Sequence, residues 1–295
     1  MSKVSLIKSV SANTLPTEFV DNINVKKIHA NNITGRGVKV AIIDTGCQKD
    51  HPLLNSVVMS GKNFTSEGSA DDFNDLNGHG THVAGIVAGS HSGGVYGIAP
   101  NVELIICKAL DRNGSGDSTS VANAIEYAIS KGANIINMSL GMSCDDWDLH
   151  NAVKKAIENG ISVVCAAGNS GDGRDDTDEC DYPGCYDEVI CVGAIDCNCN
   201  VSKFSNSNKF VDIVAPGEDI VSTVPNNNIK TMTGTSMATP CISGALALIK
   251  EWSTKEFDRE LGEMELYGEL IKNTRTLKCK RTLQGHGMLF LNMLD

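Results

Sequence analysis

Four residues of this chain could share one reaction: Asp44, His79, Asn169 and Ser236. A serine hydroxyl is a poor nucleophile at neutral pH and needs a base beside it. Imidazole suits that task because it titrates near neutrality. A carboxylate next to the imidazole fixes its tautomer and stabilises its cation. A side-chain amide can cradle the negative oxygen of a tetrahedral intermediate. Acid, base, amide and hydroxyl are together the parts of acyl transfer. Asp44 opens Asp44-Thr45-Gly46, and His79 sits between glycines in Asn77-Gly78-His79-Gly80-Thr81-His82. Asn169 lies in Ala166-Ala167-Gly168-Asn169-Ser170-Gly171, and Ser236 in Gly234-Thr235-Ser236-Met237-Ala238-Thr239-Pro240.

Ser236 is expected to begin a helix of small residues, with Ala238, Ser243, Gly244, Ala245 and Ala247 following. Pro240 is expected in its first turn, where a missing N–H costs little. The amide of Ser236 can then be a second oxyanion donor. His79 heads another small-residue stretch, Val83 to Gly89.

Each residue alone has a plainer reading. An aspartate after a strand is commonly a turn residue, an asparagine between glycines a left-handed turn, and a serine before a helix a cap. His79 and His82 could ligate a metal, but no third ligand is in place. Asp44-Thr45-Gly46 also spells the aspartic-peptidase signature, which requires a second such aspartate in an all-β fold. Gly234 to Ala238 resembles the nucleophile elbow of α/β-hydrolases, where acid and histidine follow the serine. Only His286 follows here. A non-catalytic binding module would have lost one reacting residue, and none is missing.

The elements that must position these groups are short β-branched runs alternating with amphipathic stretches. Strands are predicted at 38–43, 102–107, 134–138, 161–165, 189–192 and 211–214. Near-continuous apolar strands are buried on both faces, as in a parallel sheet under helices. Val121, Ala124, Ile125, Ala128 and Ile129 form one helical stripe stopped at Gly132. Val153, Ala156 and Ile157 form another, stopped at Gly160. Both glycines suit a left-handed cap. A further helix is expected around 264–272, and a last apolar run at 288–291. The predicted class is α/β: a three-layer αβα domain with a central, mostly parallel sheet over 25–295, preceded by an extension over 1–24. Ligands of such sheets gather at the strands' carboxyl ends, where Asp44, Ser139-Leu140-Gly141 and Asn169 all fall.

The chain has 295 residues and a formal net charge of −11, which opposes binding to nucleic acid or an anionic membrane. No apolar run approaches the ~20 residues of a membrane span. The first eight residues lack an apolar core and a cleavage site, so the sequence predicts no secretion signal and a cytoplasmic location. Eleven cysteines are present, five of them at 180, 185, 191, 197 and 199. Cys-x-x-Cys pairing is absent, and the expectation is reduced, partly buried thiols, with a metal site or a redox-sensitive pair as alternatives.

The blocks around Asp44, His79 and Ser236 resemble those of the subtilisin-like serine proteases, from about residue 35 to 250 and on towards the C-terminus. Tyr182-Pro183-Gly184-Cys185-Tyr186, Phe204 to Asn208 and Val214 to Ile220 are similar to the intracellular subtilisins of Gram-positive bacteria. The resemblance implies a subtilisin-like fold and an endopeptidase working through an acyl-enzyme, with polypeptide substrates and no cofactor for the chemistry. It implies a substrate strand held between Gly114-Ser115-Gly116 and Ser139-Leu140-Gly141. Ala166, Ala167 and Gly168 would wall the primary pocket, and Asp181 would form its floor, favouring Lys or Arg at P1. A dimer is allowed by the same resemblance. General protein turnover and dedicated precursor processing remain alternative roles.

Three departures stand out. Cys241 replaces the family's usual histidine, putting a thiol near the nucleophile. Leu53 and the loop from Ser90 to Tyr96 lack the ligands of the family's tight calcium site, so that site is not expected. The acidic loop Asp172 to Glu179 could bind calcium instead. The N-terminal Leu6-Ile7-Lys8-Ser9 lacks the proline that protects the family's inhibitory extension. The extension could therefore serve as a propeptide cut at Lys8–Ser9.

Overall fold

Alternate residues along the central strands enter different cores. Val40 and Ile42 pack with Val83, Ile86, Leu246 and Ile249, whereas Ala41 and Ile43 pack with Val121, Ile125, Leu149 and Val153. A strand turns successive side chains to opposite faces, so two-sided apolarity demands a helical layer on each side.

The computed structural model describes residues 2–6, 10–11, 18–91 and 94–294. Its strands are β1 Lys3–Leu6, β2 Val10–Ser11, β3 Lys39–Asp44, β4 Val58–Asn63, β5 Glu103–Lys108, β6 Ser115–Asp117, β7 Ile135–Met138, β8 Leu140–Gly141, β9 Ser162–Ala166, β10 Ile190–Ile195, β11 Val211–Pro216, β12 Ile220–Val224, β13 Asn228–Thr233, β14 Thr274–Arg275 and β15 Met288–Leu289. Its helices are α1 Glu18–Asn22, α2 Val25–Ala30, α3 His79–Ala88, α4 Ser118–Ser130, α5 Trp147–Glu158, α6 Thr235–Phe257, α7 Glu263–Lys272 and α8 Arg281–Gln284.

Nine strands form the central sheet in the order β14-β15-β11-β10-β9-β7-β3-β5-β4. All neighbours are parallel except β14 and β15. Helices α3 and α6 cover one face, and α4 and α5 the other. The three-layer αβα class read from the sequence is therefore the observed one. The six predicted strands are β3, β5, β7, β9, β10 and β11, each with both ends within three residues of the expected bounds. Strand β4 was not predicted because its middle is polar and half-exposed at the sheet edge.

Two small sheets flank the carboxyl edge. One is β6-β1-β8, and the other is β12-β13-β2. Both contain a strand from the N-terminal extension. The boundary drawn at residue 24 falls inside the packing. Val20 and Ile23 are fully buried in the same core as Val25 and Ile28, and Leu291 N donates to Ile23 O at 3.0 Å.

Candidate active site

Asp44 is the last residue of β3, and His79 the first of α3. Their side chains meet: His79 Nδ1 lies 2.8 Å from Asp44 Oδ1 and 3.0 Å from Oδ2. Both residues are buried, at 0% and 3% exposure. A carboxylate only accepts, so Nδ1 carries the proton and Nε2 keeps its lone pair. Nε2 is buried and has no hydrogen-bond partner among the described residues.

A second carboxylate, not singled out in the sequence, builds this arrangement. Asp75 is 2% exposed. Its Oδ1 accepts from Thr45 Oγ1 (2.9 Å), Asn77 N (2.9 Å) and Gly78 N (2.8 Å). Its Oδ2 accepts from Thr81 N (2.9 Å) and Thr81 Oγ1 (2.6 Å). These bonds tie the turn after Asp44 to the first turn of α3, whose early N–H groups lack helical acceptors. The available signal was an aspartate two and three residues before amides that need an acceptor. Gly80 completes the approach, since a Cβ there would stand 3.2 Å from Asp44 Cβ. Lys108, also unremarked in the sequence, is buried at the end of β5. Its Nζ donates to Thr45 O and Leu110 O, both at 2.9 Å.

Ser236 is the second residue of α6 and fully buried. The helix begins at Thr235, one residue earlier than expected. Pro240 is therefore its sixth residue, beyond the first turn, and its missing N–H deprives Ser236 O of a helical donor. Ser139 Oγ supplies the bond at 2.9 Å. In return Ser236 Oγ donates to Ser139 O at 3.2 Å. Asn137 Nδ2 donates to Ser139 Oγ at 3.1 Å, and Ser243 Oγ to Asn137 Oδ1 at 2.9 Å. A buried polar chain thus fastens α6 to the sheet just past β7. The Ser236 hydroxyl is directed at Ser139 O and not at His79.

Asn169 follows β9 by three residues. Its Oδ1 accepts from Thr235 N and Thr235 Oγ1, each at 2.9 Å. That pins the amide with Nδ2 over Gly234, where a Cβ would come within 2.9 Å of it. Asn169 and Ser236 N are thereby brought to one spot, at the mouth of α6.

Gly114, Ser115 and Gly116 lie at and in β6. Ser139 precedes β8, which is Leu140 and Gly141. Strand β1 inserts between them, antiparallel to both, with Val4 opposite Gly116, Ser5 opposite Gly141 and Leu6 opposite Leu140. Leu6 N donates to Gly114 O at 2.8 Å. Strand β2 pairs with β13 through Val10 opposite Thr233. The Lys8–Ser9 bond lies outside the described residues.

Ala166 ends β9, and Gly168 adopts φ +114°. A Cβ on Gly168 would collide with Asn206 Nδ2 and Asp181 Oδ2, so the wall is thin enough for both groups to press on it. Asp181 is half-buried and accepts from Asn206 Nδ2 at 3.2 Å. Burial pushes its carboxyl above the usual range, against the lowering effect of that bond. The cysteine expectation is corrected here. Cys180 and Cys185 form a disulfide, Cα–Cα 5.9 Å, and are not reduced thiols. Their bridge closes the loop that carries Asp181, and Tyr182 binds Met142 across it by two 2.8 Å bonds. Nine cysteines are free. Cys241 is one of them, but burial pushes its thiol up to about 12, far from a reactive thiolate.

The acidic loop does not fit calcium. Asp176 is paired with Arg174 at 2.9 Å and Asp175 with Lys280 at 3.0 Å. Glu179 accepts from Ser207 N at 2.9 Å. Among the described residues no group of three or more His, Cys, Asp or Glu could hold a metal ion. His82 is no ligand either: its Nε2 faces the carbonyls of Ile220 (3.1 Å) and Lys230 (2.9 Å), and burial lowers its pKa to about 3. In the loop after Ser90, rings replace ligands: His91 stacks on Tyr96 at 3.8 Å, with His29 beside them.

A three-layer fold that gathers an acid–imidazole pair, an amide and a helix-borne serine along one sheet edge has the make-up of a serine peptidase. The chain belongs to the Subtilase family, whose model matches residues 35–287. It is a subtilisin-like serine endopeptidase, acting on polypeptides. It is 52% identical over 268 residues to the "Intracellular serine protease" of Paenibacillus polymyxa, covering 90% of this chain and 82% of that protein. It is 47% identical over 290 residues to the "Major intracellular serine protease" of Bacillus subtilis (strain 168), covering 97% and 91%. With "Subtilisin Savinase" of Lederbergia lenta the identity is 39% over 275 residues, covering 92% and 95%. Among the described residues no helix is long and apolar enough to cross a membrane.

Proposed function

We propose that this chain cleaves peptide bonds through an acyl-enzyme on Ser236, with His79 as general base, Asp44 as its orienting carboxylate, and Asn169 Nδ2 and Ser236 N as oxyanion donors. The observation that carries this reading is the buried Asp44–His79 pair, which leaves Nε2 basic and without a partner on the edge that bears Ser236. This reading requires Ser236 to turn about Cα–Cβ to another staggered well, releasing Oγ from Ser139 O so that it can meet His79 Nε2. Nε2 then removes the hydroxyl proton as Oγ attacks the carbonyl, and returns it to the leaving amine. Water repeats the sequence on the ester. Titration with a fluorophosphonate tests this: one equivalent should bind the wild type and none Ser236→Ala. Labelling of both overturns it.

Asp181 supports a preference for Lys or Arg at P1. Its carboxylate lies behind Gly168, where Asn206 Nδ2 donates to it, and an entering guanidinium would supply the counter-charge. Such a pocket favours dedicated processing over general turnover. Chromogenic peptides differing only at P1 decide it; faster cleavage after Phe than after Arg ends the idea. A cytoplasmic location rests on the names of the relatives. The chemistry requires no cofactor.

The extension behaves as the cleft's own occupant. Self-processing is expected at Lys8–Ser9, where a basic P1 would meet the acidic pocket. Mass spectrometry should find chains beginning at Ser9 in the wild type and not in Ser236→Ala. The same N-terminus in both would refute self-processing.

A further inference from the structure

The occupied cleft reaches further than the three-stranded sheet. Position 2 continues the β1–β6 ladder, one step beyond Lys3 opposite Asp117. Its partner is Ser118, the first residue of α4 and 1% exposed. Ser118 N donates to Ser2 O at 3.0 Å. In an ordinary antiparallel ladder the Ser118 carbonyl would return the bond to Ser2 N–H. Here that carbonyl points along a helix and serves the helical ladder. The Ser118 hydroxyl takes its place: Ser2 N donates to Ser118 Oγ at 3.3 Å. Ser118 Oγ in turn donates to Asp146 Oδ2 at 2.7 Å. With its proton committed to Asp146, the hydroxyl presents a lone pair to the incoming amide. Asp146 is itself fixed, because Oδ1 caps α5 through Leu149 N at 3.1 Å.

We propose that Ser118 and Asp146 form a sixth non-primed station, gripping the main chain of an extended polypeptide substrate at P6. The inference rests on the peptidase reading above, with Ser5, opposite Gly141, counted as P3. Both peptide groups of the P6 residue are met, and the Ser2 side chain adds a hydrogen bond to Asp146, so the backbone bonds are common to all substrates and the side-chain bond is an extra for a short hydroxyl residue. The grip requires an N–H, which excludes proline. The helix N-terminus reinforces the grip on the carbonyl, since α4 ends there in partial positive charge. The station lies five strand residues from the scissile bond, about 16 Å away. Contacts so remote can be spent only on substrates long enough to reach them.

The test uses the full chain and three internally quenched peptides with one common P4–P3′ sequence. One ends in an acetyl cap at P4. The second extends to P7. The third matches the second but has an ester in place of the P6 amide N–H. The fraction of chains whose cleft is filled by the extension lowers all rates alike, so ratios of kcat/KM are read. In the wild type the ester should cost about fivefold relative to the amide, the worth of one hydrogen bond. In Ser118→Ala the long-to-short ratio should fall by a similar factor, and the ester should cost nothing more. Ser118→Thr, which keeps a hydroxyl, should restore the ester's penalty. Thermal unfolding checks that the variants fold. An ester penalty equal in wild type and Ser118→Ala, or a long-to-short ratio unmoved by Ser118→Ala, overturns the station. Cleavage of none of the peptides by the wild type overturns the peptidase reading, and the station with it.

Discussion

The His79 side of the site and the Asp181 side are built by different means. Around His79, one buried carboxylate, Asp75, accepts five hydrogen bonds from residues of two adjoining turns. Most of its partners are within six residues of it, so the arrangement forms locally and is dense in satisfied polar groups. Around Asp181, the pocket is assembled from the end of β9, the disulfide loop and Asn206, which share little sequence proximity. Its carboxylate is held by one side-chain bond and is half-buried. The first design fixes geometry for a reaction. On the reading proposed here, the second would leave a charge to be compensated by an entering Lys or Arg.

The largest effect should come from breaking the first half. Asp75→Ala leaves amides and two threonine hydroxyls without an acceptor and loosens His79 from Asp44. With reacting groups misplaced by even 1 Å, kcat should fall about 100-fold. A fall in KM-sensitive binding alone, with kcat intact, would show that Asp75 does not position the base. Next comes the second half. Asp181→Asn should reduce the Arg-over-Phe ratio in kcat/KM by about 30-fold, the lower end of the cost of unpairing a buried charge. The ratio is the readout, since it cancels changes in the common machinery.

Between the halves lies Ser139. Ser139→Ala deprives Ser236 O of the donor that replaces the Pro240 N–H, and should cost about 1–3 kcal/mol in urea unfolding. Valine at position 240 in the same background returns a backbone donor and should recover part of that loss. The smallest effect is one of pH. The Asp181 carboxyl is raised in the folded chain, so the folded state holds its proton more tightly than the unfolded one. Its contribution to stability is therefore present at low pH and lost as pH rises through the raised value. At neutral pH Asp181→Asn should raise Tm, by under about 2 °C, and at pH 3 the difference should vanish. Preference for Arg should grow over the same pH interval as the carboxylate ionises.

The residues proposed to react stand out in the sequence because each sits in a short motif whose neighbours share its constraint. Glycines flank His79 for close approach, and small residues follow Ser236 for tight packing. The central strands were legible because burial on both faces leaves no polar position. Other features were not, for a common reason: they are bonds between residues far apart in sequence. Ser139 and Ser236 are separated by 97 positions, and nothing in either motif advertises the exchange between them. Pro240 was placed in a first turn, yet with either helix start its N–H would have been the partner of Ser236 O, and the bond that replaces it comes from a residue 97 positions away. Lys3 to Leu6 alternates polar and apolar, but over only four residues, and its pairing is dictated by the two edges it meets. The cysteine pair was misread because a spacing of five matches no metal pattern and says nothing of a bridge.

Helix α6 lacks one internal rung, and Ser139, between β7 and β8, supplies it. The carbonyl of the nucleophile's own peptide is therefore moored outside its helix, to the residue that leads directly into β8. A polypeptide that zips onto Leu140 and Gly141 loads the very stretch that moors Ser236. On the proposed reading, docking of the chain to be cut and aiming of the group that cuts it would share a single hinge point, so that neither would shift without being felt by the other.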